Sequence, residues 1–244
     1  MNQYVPLEIF EPPSDYSHIN WIAAKDFNGL NAGIFLLRVN RWSLNLLTRT
    51  ATHKHYHPGE DFTFEEQSIL ARLTEEAKEF KDRCIYVPKL WFNAYFYNSD
   101  EAKPGLLLSH FPHPDFKWHM YKWLEALKSD KHVYNRPVAE TSYPEEIERF
   151  WNVKRRADTR IKEFERNVNG DADPVLLGMQ HDETKSLADD FRIRFEELRK
   201  GAEQRTDNVD ELDKLIDQAE EVNRFFVYFS LGYTNYVTNS QMRS

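Results

Sequence analysis

The stretch Asp26-Phe27-Asn28-Gly29-Leu30-Asn31-Ala32-Gly33-Ile34-Phe35-Leu36-Leu37-Arg38 decides the fold of this chain. It begins with a carboxylate, two asparagines and two glycines, and then becomes the apolar run Ile34–Leu37. A short, branched apolar run predicts a strand that is buried on both faces, as in a mostly parallel sheet. Glycine just before such a strand is typical of a place where backbone or ligand approaches closely. The stretch therefore predicts a polar binding loop that leads into a core strand.

Length and composition narrow the class of protein. The 244 residues suit one medium domain with an extension, and 41% hydrophobic residues can fill a sizeable core. The net charge of −8 argues against nucleic-acid binding, since no basic stripe offsets it. The only cysteine, Cys84, excludes an internal disulfide and a cysteine-based zinc site. Because no run approaches the roughly 18 apolar residues of a membrane span and no secretory signal is recognisable, we expect a soluble chain as written.

Hydrophobic periodicity and turn residues predict the elements around the opening stretch. Thr63 and Glu66 have the spacing of a capping box at a helix start. The segment Leu90–Tyr95 is predicted to be an aromatic loop or strand. Strands are expected near 19–24, 33–38, 85–87 and 106–108, and helices near 42–49, 63–80 and 116–128.

Three histidines, His53, His55 and His57, alternate along the chain just before Pro58-Gly59. In an extended segment all three imidazoles would point the same way, which suits zinc or copper and a metal-dependent hydrolase. The favoured interpretation is an exposed turn, because Pro-Gly follows and no acid stands at a fixed offset.

Beyond Tyr143 the composition changes to long helical patterns near 144–167, 183–203 and 208–230. In the last pattern, apolar residues at spacings of three and four predict a seam for helix packing. The seam residues are Leu212, Leu215, Ala219, Val222, Phe226 and Phe229. A solvated helical bundle packed against the first half is the favoured interpretation, and a protein-docking arm is the alternative. The aromatic cluster Phe225–Phe229 lacks the basic flank of a membrane-binding surface.

Four pieces of the first half resemble, in order, a family of fungal nucleotide-sugar glycosyltransferases. They are Pro6-Leu7-Glu8 with Pro12-Pro13; Asp26–Phe35 with Trp42-Ser43; Glu66-Gln67; and Val87-Pro88 with Trp91–Tyr95 and Gly105–Phe111. The chain resembles the galactosyl- and mannosyltransferase family 34, whose enzymes have the GT-A fold, over roughly residues 5–127. The resemblance implies the α/β class. A partial GT-A-like sheet with helices is expected in residues 1–130, and a C-terminal α-helical extension in 131–244.

The resemblance also implies an activity. It is the transfer of galactose or mannose from a nucleotide sugar to a glycan acceptor, retaining and dependent on Mn²⁺. A cation assists because negative charge develops on the leaving diphosphate. His110 matches the metal-binding histidine of the family, and oxygen ligands with one imidazole suit manganese. Such enzymes are Golgi membrane proteins that act on the lumenal side.

The candidate site residues follow from the matched motifs. Glu66 and Gln67 match an acid–glutamine pair beside the transferred sugar, and together with Asp26 they are the candidate catalytic residues. Lys117 is the candidate ligand of the diphosphate. The candidate residues for binding sugar or acceptor are Asn28, Asn31, Gly33, Trp91 and Asn93.

Two features depart from the family pattern. The family carries an Asp-x-Asp metal motif just upstream of the Pro-Leu-Glu piece, where this sequence begins, and Asp171-Ala172-Asp173 lies far downstream. Pro112 and His113 stand where the family has a small residue and glycine. Two hypotheses remain open: an incomplete glycosyltransferase that is inactive as this chain, or a non-catalytic module that binds sugar or, through the C-terminal helices, a protein.

Overall fold

The computed structural model describes residues 1–95, 100–101, 103–111, 120–129, 135–169, 182–204 and 206–224. The chain divides into two compact units, residues 1–150 and 151–244. The first unit is mixed α/β, which agrees with the predicted fold class, and it holds all of the site residues argued below. The boundary predicted at residue 130 rests on family likeness and stays a prediction.

Within the described residues, the sheet of the first unit has three strands, β1 (Trp21–Asp26), β2 (Gly29–Leu37) and β3 (Cys84–Val87). Their order is β2-β1-β3, with β2 antiparallel and β3 parallel to the central β1. Gly29 has a φ of 95°, so this glycine allows the tight turn between β1 and β2 that a residue with a side chain would strain.

The prediction that Ile34–Leu37 is buried on both faces is wrong. β2 lies at the edge of the described sheet, and Ile34 is 40% exposed. Phe35 and Leu37 instead turn one face toward the core and are partly buried against it. The apolar run reflects one covered face of an edge strand, a pattern that a short run cannot distinguish from a fully buried strand.

Helix α1 (Arg41–Tyr56) begins at the predicted place and continues past the predicted end at residue 49. The Asn40 side chain caps it by accepting a hydrogen bond from the Ser43 backbone N–H at 3.0 Å. Because the helix runs on to Tyr56, His53 and His55 lie in its last turn and His57 at its C-cap. The predicted exposed turn is confirmed only for His57 and Pro58-Gly59, and the extended segment that would align the three imidazoles does not form.

Helix α2 (Glu65–Glu76) buries Ile69, Leu70 and Leu73, as predicted. The predicted capping box is wrong: Phe64 occupies the N-cap, and the Ser68 hydroxyl accepts from its backbone N–H at 3.3 Å. Extended backbone at Ala77 ends α2, and the short helix α3 (Lys78–Lys81) follows. One hydrophobic core forms where α1, α2 and α3 pack on the sheet. It contains Trp21, Ala23, Leu30, Leu46, Ile69, Leu70, Leu73, Phe80 and Tyr86.

Two short elements follow β3, a one-turn helix and an isolated bridge. Helix α4 is a single turn, Lys89–Phe92, in place of the predicted loop or strand. The chain then forms an isolated parallel bridge between Tyr95 and His110. The strand predicted at 106–108 is wrong: among the described residues this segment pairs in no strand, although Leu107 is buried.

The segment that delivers His110 is fastened from two directions. The Tyr143 hydroxyl accepts from the Leu107 N–H at 2.8 Å. Asn2 is 3% exposed, and its side-chain amide donates to the carbonyl oxygens of Gly105 at 3.1 Å and Arg136 at 3.0 Å. The entry segment therefore holds residues 105–107 in place as well as leading into the fold.

Replacing Asn2 by alanine should lower the free energy of unfolding by about 1–3 kcal/mol, because two carbonyl groups lose their donor. Urea unfolding of the variant measures the loss. Gln3→Ala, a change at the exposed neighbour, is the control and should leave the midpoint unchanged. Equal midpoints for both variants would contradict this role of Asn2.

Longer helices follow α4 along the chain. Helix α5 is Met120–Ser129, α6 is Tyr143–Asn169, α7 is Asp182–Gln204 and α8 covers 209–224; short 3₁₀ turns are Leu7–Phe10, Ser14–Tyr16 and Val138–Glu140. The three long C-terminal helices agree with prediction, as far as the described residues extend. Within the described residues, no helix combines the length and the apolar character needed to cross a membrane.

The second unit has a core of its own. Arg156 pairs with Asp213 at 2.5 Å and Asp217 at 3.1 Å, which ties α6 to α8 at the surface. The predicted seam on α8 is confirmed for Leu212, Leu215 and Ala219, while Phe226 and Phe229 lie outside the described residues. The core residues are Val153, Ala157, Leu198, Ala202, Leu212 and Ile216, with Leu215 and Ala219 packed against them.

Candidate functional site

Asp26 is the centre of a polar group at the carboxyl end of β1. The parallel strand β3 ends beside it, so the chain that leaves β3 carries Asn93 and Tyr95 to the same place. Strand ends of this kind are where α/β sheets bind ligands. Three side chains donate to one carboxylate oxygen, Oδ2: Asn31 Nδ2 at 2.9 Å, Tyr95 OH at 2.9 Å and Asn93 Nδ2 at 3.3 Å.

The second carboxylate oxygen of Asp26 is also bound. Oδ1 accepts from the backbone N–H of Asn28 at 2.8 Å. Burial alone would raise the pKa of Asp26, but the hydrogen bonds from Asn31, Asn28, Tyr95 and Asn93 outweigh burial and lower it. The carboxylate is therefore held ionised and in one orientation.

These bonds also decide how His110 is protonated. The Asp26 carboxylate only accepts, so the nitrogen of the Asn93 amide must face Asp26 and the amide oxygen must face the other way. That oxygen contacts His110 Nδ1, which must carry the proton of the neutral ring. The lone pair of the neutral imidazole then lies on Nε2. Burial lowers the pKa of His110. The negative charge of Asp26 opposes this shift, and the positive charge of Lys89 adds to it.

A bulge in β2 brings Gln67 to this group. Ala23 pairs with Phe35 while the next residue of β1 pairs with Asn31, so residues 32–34 have no partner on β1. Side chains satisfy two of the N–H groups in the bulge. Gln67 Oε1 accepts from Ala32 N–H at 2.9 Å, and Asn31 Oδ1 accepts from Gly33 N–H at 2.9 Å.

Gly33 is required by the close approach in this bulge. A Cβ atom at this position would lie 2.9 Å from Asn31 Oδ1 and 3.7 Å from His110 Cε1. The first distance is far inside van der Waals contact, so a side chain would displace the Asn31 amide. The glycine thus keeps Asn31 bound to both Asp26 and the bulge.

Three residues of the site were not predicted from the sequence: Tyr95, Lys89 and Glu101. Lys89 Nζ lies 2.7 Å from Glu101 Oε1 and 3.6 Å from the centre of the Tyr95 ring. Glu101 Oε2 also accepts from the backbone N–H of Tyr95 at 2.9 Å. Alternation in an extended segment could have indicated Tyr95, because it stands two residues after Asn93.

Other predicted site residues lie elsewhere. Glu66 is exposed on the first turn of α2, and no described contact joins it to Asp26. Trp91 is fully buried, with its ring centre 5.4 Å from that of Phe10 and 5.3 Å from that of Phe150. An indole enclosed by phenyl rings has no surface for a sugar, so Trp91 supports the site from the core. Lys117 lies outside the described residues, as do Pro112, His113 and Asp171–Asp173.

Two residues of the histidine triplet, His53 and His57, form a cluster with Glu60 that is separate from the polar group around Asp26. His53 and His57 are one helical turn apart with ring centres 4.5 Å from each other. His53 Nε2 lies 2.9 Å from Glu60 Oε2, which Arg72 also contacts at 2.6 Å. Among the described residues, no group of three or more His, Cys, Asp or Glu side chains is placed to hold a metal ion.

Comparison with known families gives a match to the part of the chain that carries this site. A family model described as the galactosyl transferase GMA12/MNN10 family matches residues 11–132, which is half of the 244 residues. The chain belongs to this family. Membership supports a glycosyltransferase, and the matched range contains Asp26, Gln67 and His110. Comparison with curated proteins and with solved structures gives no match.

The protonation of His110 and Asp26 predicts a loss of stability in acid. Because both folded pKa values lie below the ordinary values of 6.5 and 3.8, the unfolded chain takes up these protons first. The free energy of unfolding should fall as the pH drops below about 6.5, and again below about 3.8. NMR titration of the His110 ring, assigned with His110→Gln, should give a midpoint below 6.5. A midpoint above that value would contradict the tautomer and burial argued here.

Proposed function

We propose that this member of the galactosyl transferase GMA12/MNN10 family contributes to hexose transfer. The reaction moves galactose or mannose from a nucleotide sugar to a glycan acceptor with retention of configuration. The observation that carries the proposal is the single polar group around Asp26, built from the family motif and from Asn93 and His110. An ionised carboxylate beside oriented amides is suited to bind neighbouring sugar hydroxyls.

In this proposal, Gln67 is the residue that lies nearest to the reacting carbon of the sugar. A retaining transfer passes through a sugar with oxocarbenium character, which an oxygen lone pair beneath the ring stabilises. The Gln67 amide is held by the Ala32 N–H at 2.9 Å, and its Oε1 keeps a second lone pair. Asp26 and Asn31 would fix the hydroxyl groups of the same sugar, so that its anomeric carbon stays near Gln67.

Mn²⁺ is proposed as the cofactor, with His110 as one ligand. The fit of the described residues is partial: Nε2 of His110 carries the lone pair, and the Asn93 amide oxygen fixes the ring from behind, as metal-binding histidines require. No complete ligand set lies within the described ranges. When bound, manganese would supply Lewis-acid charge to the leaving diphosphate.

Mass spectrometry of reactions with UDP-galactose or GDP-mannose, Mn²⁺ and neutral oligosaccharide acceptors tests the proposal. The proposal expects hexose addition that Gln67→Ala reduces by a factor of about 10²–10³, the usual size of a lost transition-state contact. The same chemical change at an exposed position, Gln3→Ala, should cost far less. Binding of a nucleotide sugar without transfer would instead support an incomplete glycosyltransferase that is inactive as this chain, and glycan binding without donor binding would support the non-catalytic module.

A further inference from the structure

An open groove of about 470 Å³ borders the Asp26 site on the side of Gln67. Its volume is within the range of small-molecule sites. One wall carries the aromatic rings of Phe62 and Phe64, and the other elements of the lining come from α2 and from the turn between β1 and β2. The polar lining residues are Asn28, Gln67, Ser68, Arg72, Glu75 and Glu76.

The groove is continuous with the residues that would face the transferred sugar. Gln67 lines it and binds the bulge of β2 through its amide oxygen. Asn28 lines it from the other side, and its backbone N–H donates to Asp26 Oδ1 at 2.8 Å. A molecule in the groove would therefore lie directly beside Gln67 and beside Asn28, the residue that binds Asp26.

Exposed phenyl rings stand at the groove and next to it. Phe64 is 45% exposed, and Phe27, at the tip of the hairpin next to Asn28, is 83% exposed. Large exposed apolar side chains that border a polar depression are typical of binding surfaces. The C–H face of a pyranose ring packs against such rings, while its hydroxyl groups remain available to polar neighbours.

The charged residues of the groove are held in place and carry a net negative charge. Arg72 pairs with Glu60 at 2.6 Å and Glu76 at 3.4 Å, while Glu75 pairs with Lys25 at 2.9 Å. Such pairing orients the side chains before a ligand arrives, which reduces the entropy lost on binding. The lining carries two carboxylates, Glu75 and Glu76, against the cation Arg72, so it repels a diphosphate and tolerates a neutral ligand.

We propose that this groove is an acceptor subsite that binds one hexose unit of a neutral glycan. Phe64 would stack on the ring, while Arg72, Ser68 and Asn28 would bind its hydroxyl groups. The inference rests on the proposed transferase function for its role, and on the shape, charge and aromatic wall of the groove for its location.

The test is titration of the full 244-residue chain with neutral manno- and galacto-oligosaccharides of two to four units, followed by amide NMR and calorimetry. We expect shifts centred on Gly29, Ser68 and Arg72. Phe64→Ala should weaken glycan binding at least tenfold. Leu44→Ala, which removes a 66% exposed apolar side chain from α1, is the matched control and should change it less than twofold.

Binding of UDP-galactose and GDP-mannose to the same variants separates this inference from the proposed function. Donor binding that survives Phe64→Ala while glycan binding falls supports the subsite. Absent glycan binding, shifts outside the groove, or equal glycan affinity in Phe64→Ala and the parent chain would overturn the inference, even where a nucleotide sugar binds. Glycan binding in the groove without binding of either donor would leave the groove a glycan site and count against the transferase.

Discussion

Asp26→Asn should lower the affinity of the chain for a nucleotide sugar at least tenfold. The new amide group cannot accept from all the donors that face Oδ2, namely Asn31, Asn93 and Tyr95. Its own N–H groups would meet donors, and each unpaired polar group costs about 1–3 kcal/mol. The Asn93 amide would then be released to turn over, and His110 would lose the contact that fixes its proton.

Calorimetry with nucleotide sugars measures the affinity of the Asp26→Asn chain, and NMR of the His110 ring reports its tautomer. Asp61→Asn makes the same chemical change at an exposed position and is the control. If both variants bound the donor equally well, Asp26 would be no more than a turn residue of the hairpin.

Trp91→Ala should give the largest loss of stability, about 3–5 kcal/mol, because it empties a fully buried site. The ring packs between Phe10, Phe92 and Phe150, which the cavity would leave without partners. The site should loosen with it, since Asn93 follows Trp91 by two residues. Urea unfolding measures the stability.

Trp91→Phe is the matched variant for this position. The indole Nε1 is buried with no hydrogen-bond partner among the described residues, so phenylalanine removes an unsatisfied donor together with some volume. We expect Trp91→Phe to retain most of the stability that alanine loses. Equal losses in the two variants would contradict packing as the role of Trp91.

The components of the site could be predicted from the sequence, but their arrangement could not. Asp26, Asn31, Asn93 and His110 were all predicted, and the structure brings them into one hydrogen-bonded group. Their residue types and motif order carry this information locally. The bulge at residues 32–34 depends on how β2 pairs with β1, which no local pattern reveals.

For Trp91 and Glu101 too, the sequence-based expectation and the structure differ because their positions depend on tertiary packing. Trp91 was predicted from its motif to contact sugar, whereas the aromatic residues around it enclose it, and their proximity depends on tertiary packing. Glu101 stands six residues from Tyr95, and only the folded chain places its carboxylate against the Tyr95 backbone and Lys89. Such supporting residues have no sequence signature of their own.

Calorimetric titration of the chain with UDP-galactose and GDP-mannose, with and without Mn²⁺, tests most directly whether the Asp26 group binds the hexose of a nucleotide sugar. We predict that at least one donor binds, more tightly with Mn²⁺, and that Asp26→Asn weakens this binding at least tenfold while Asp61→Asn leaves it unchanged. Absence of binding for both donors, or binding that Asp26→Asn leaves unchanged, would contradict it.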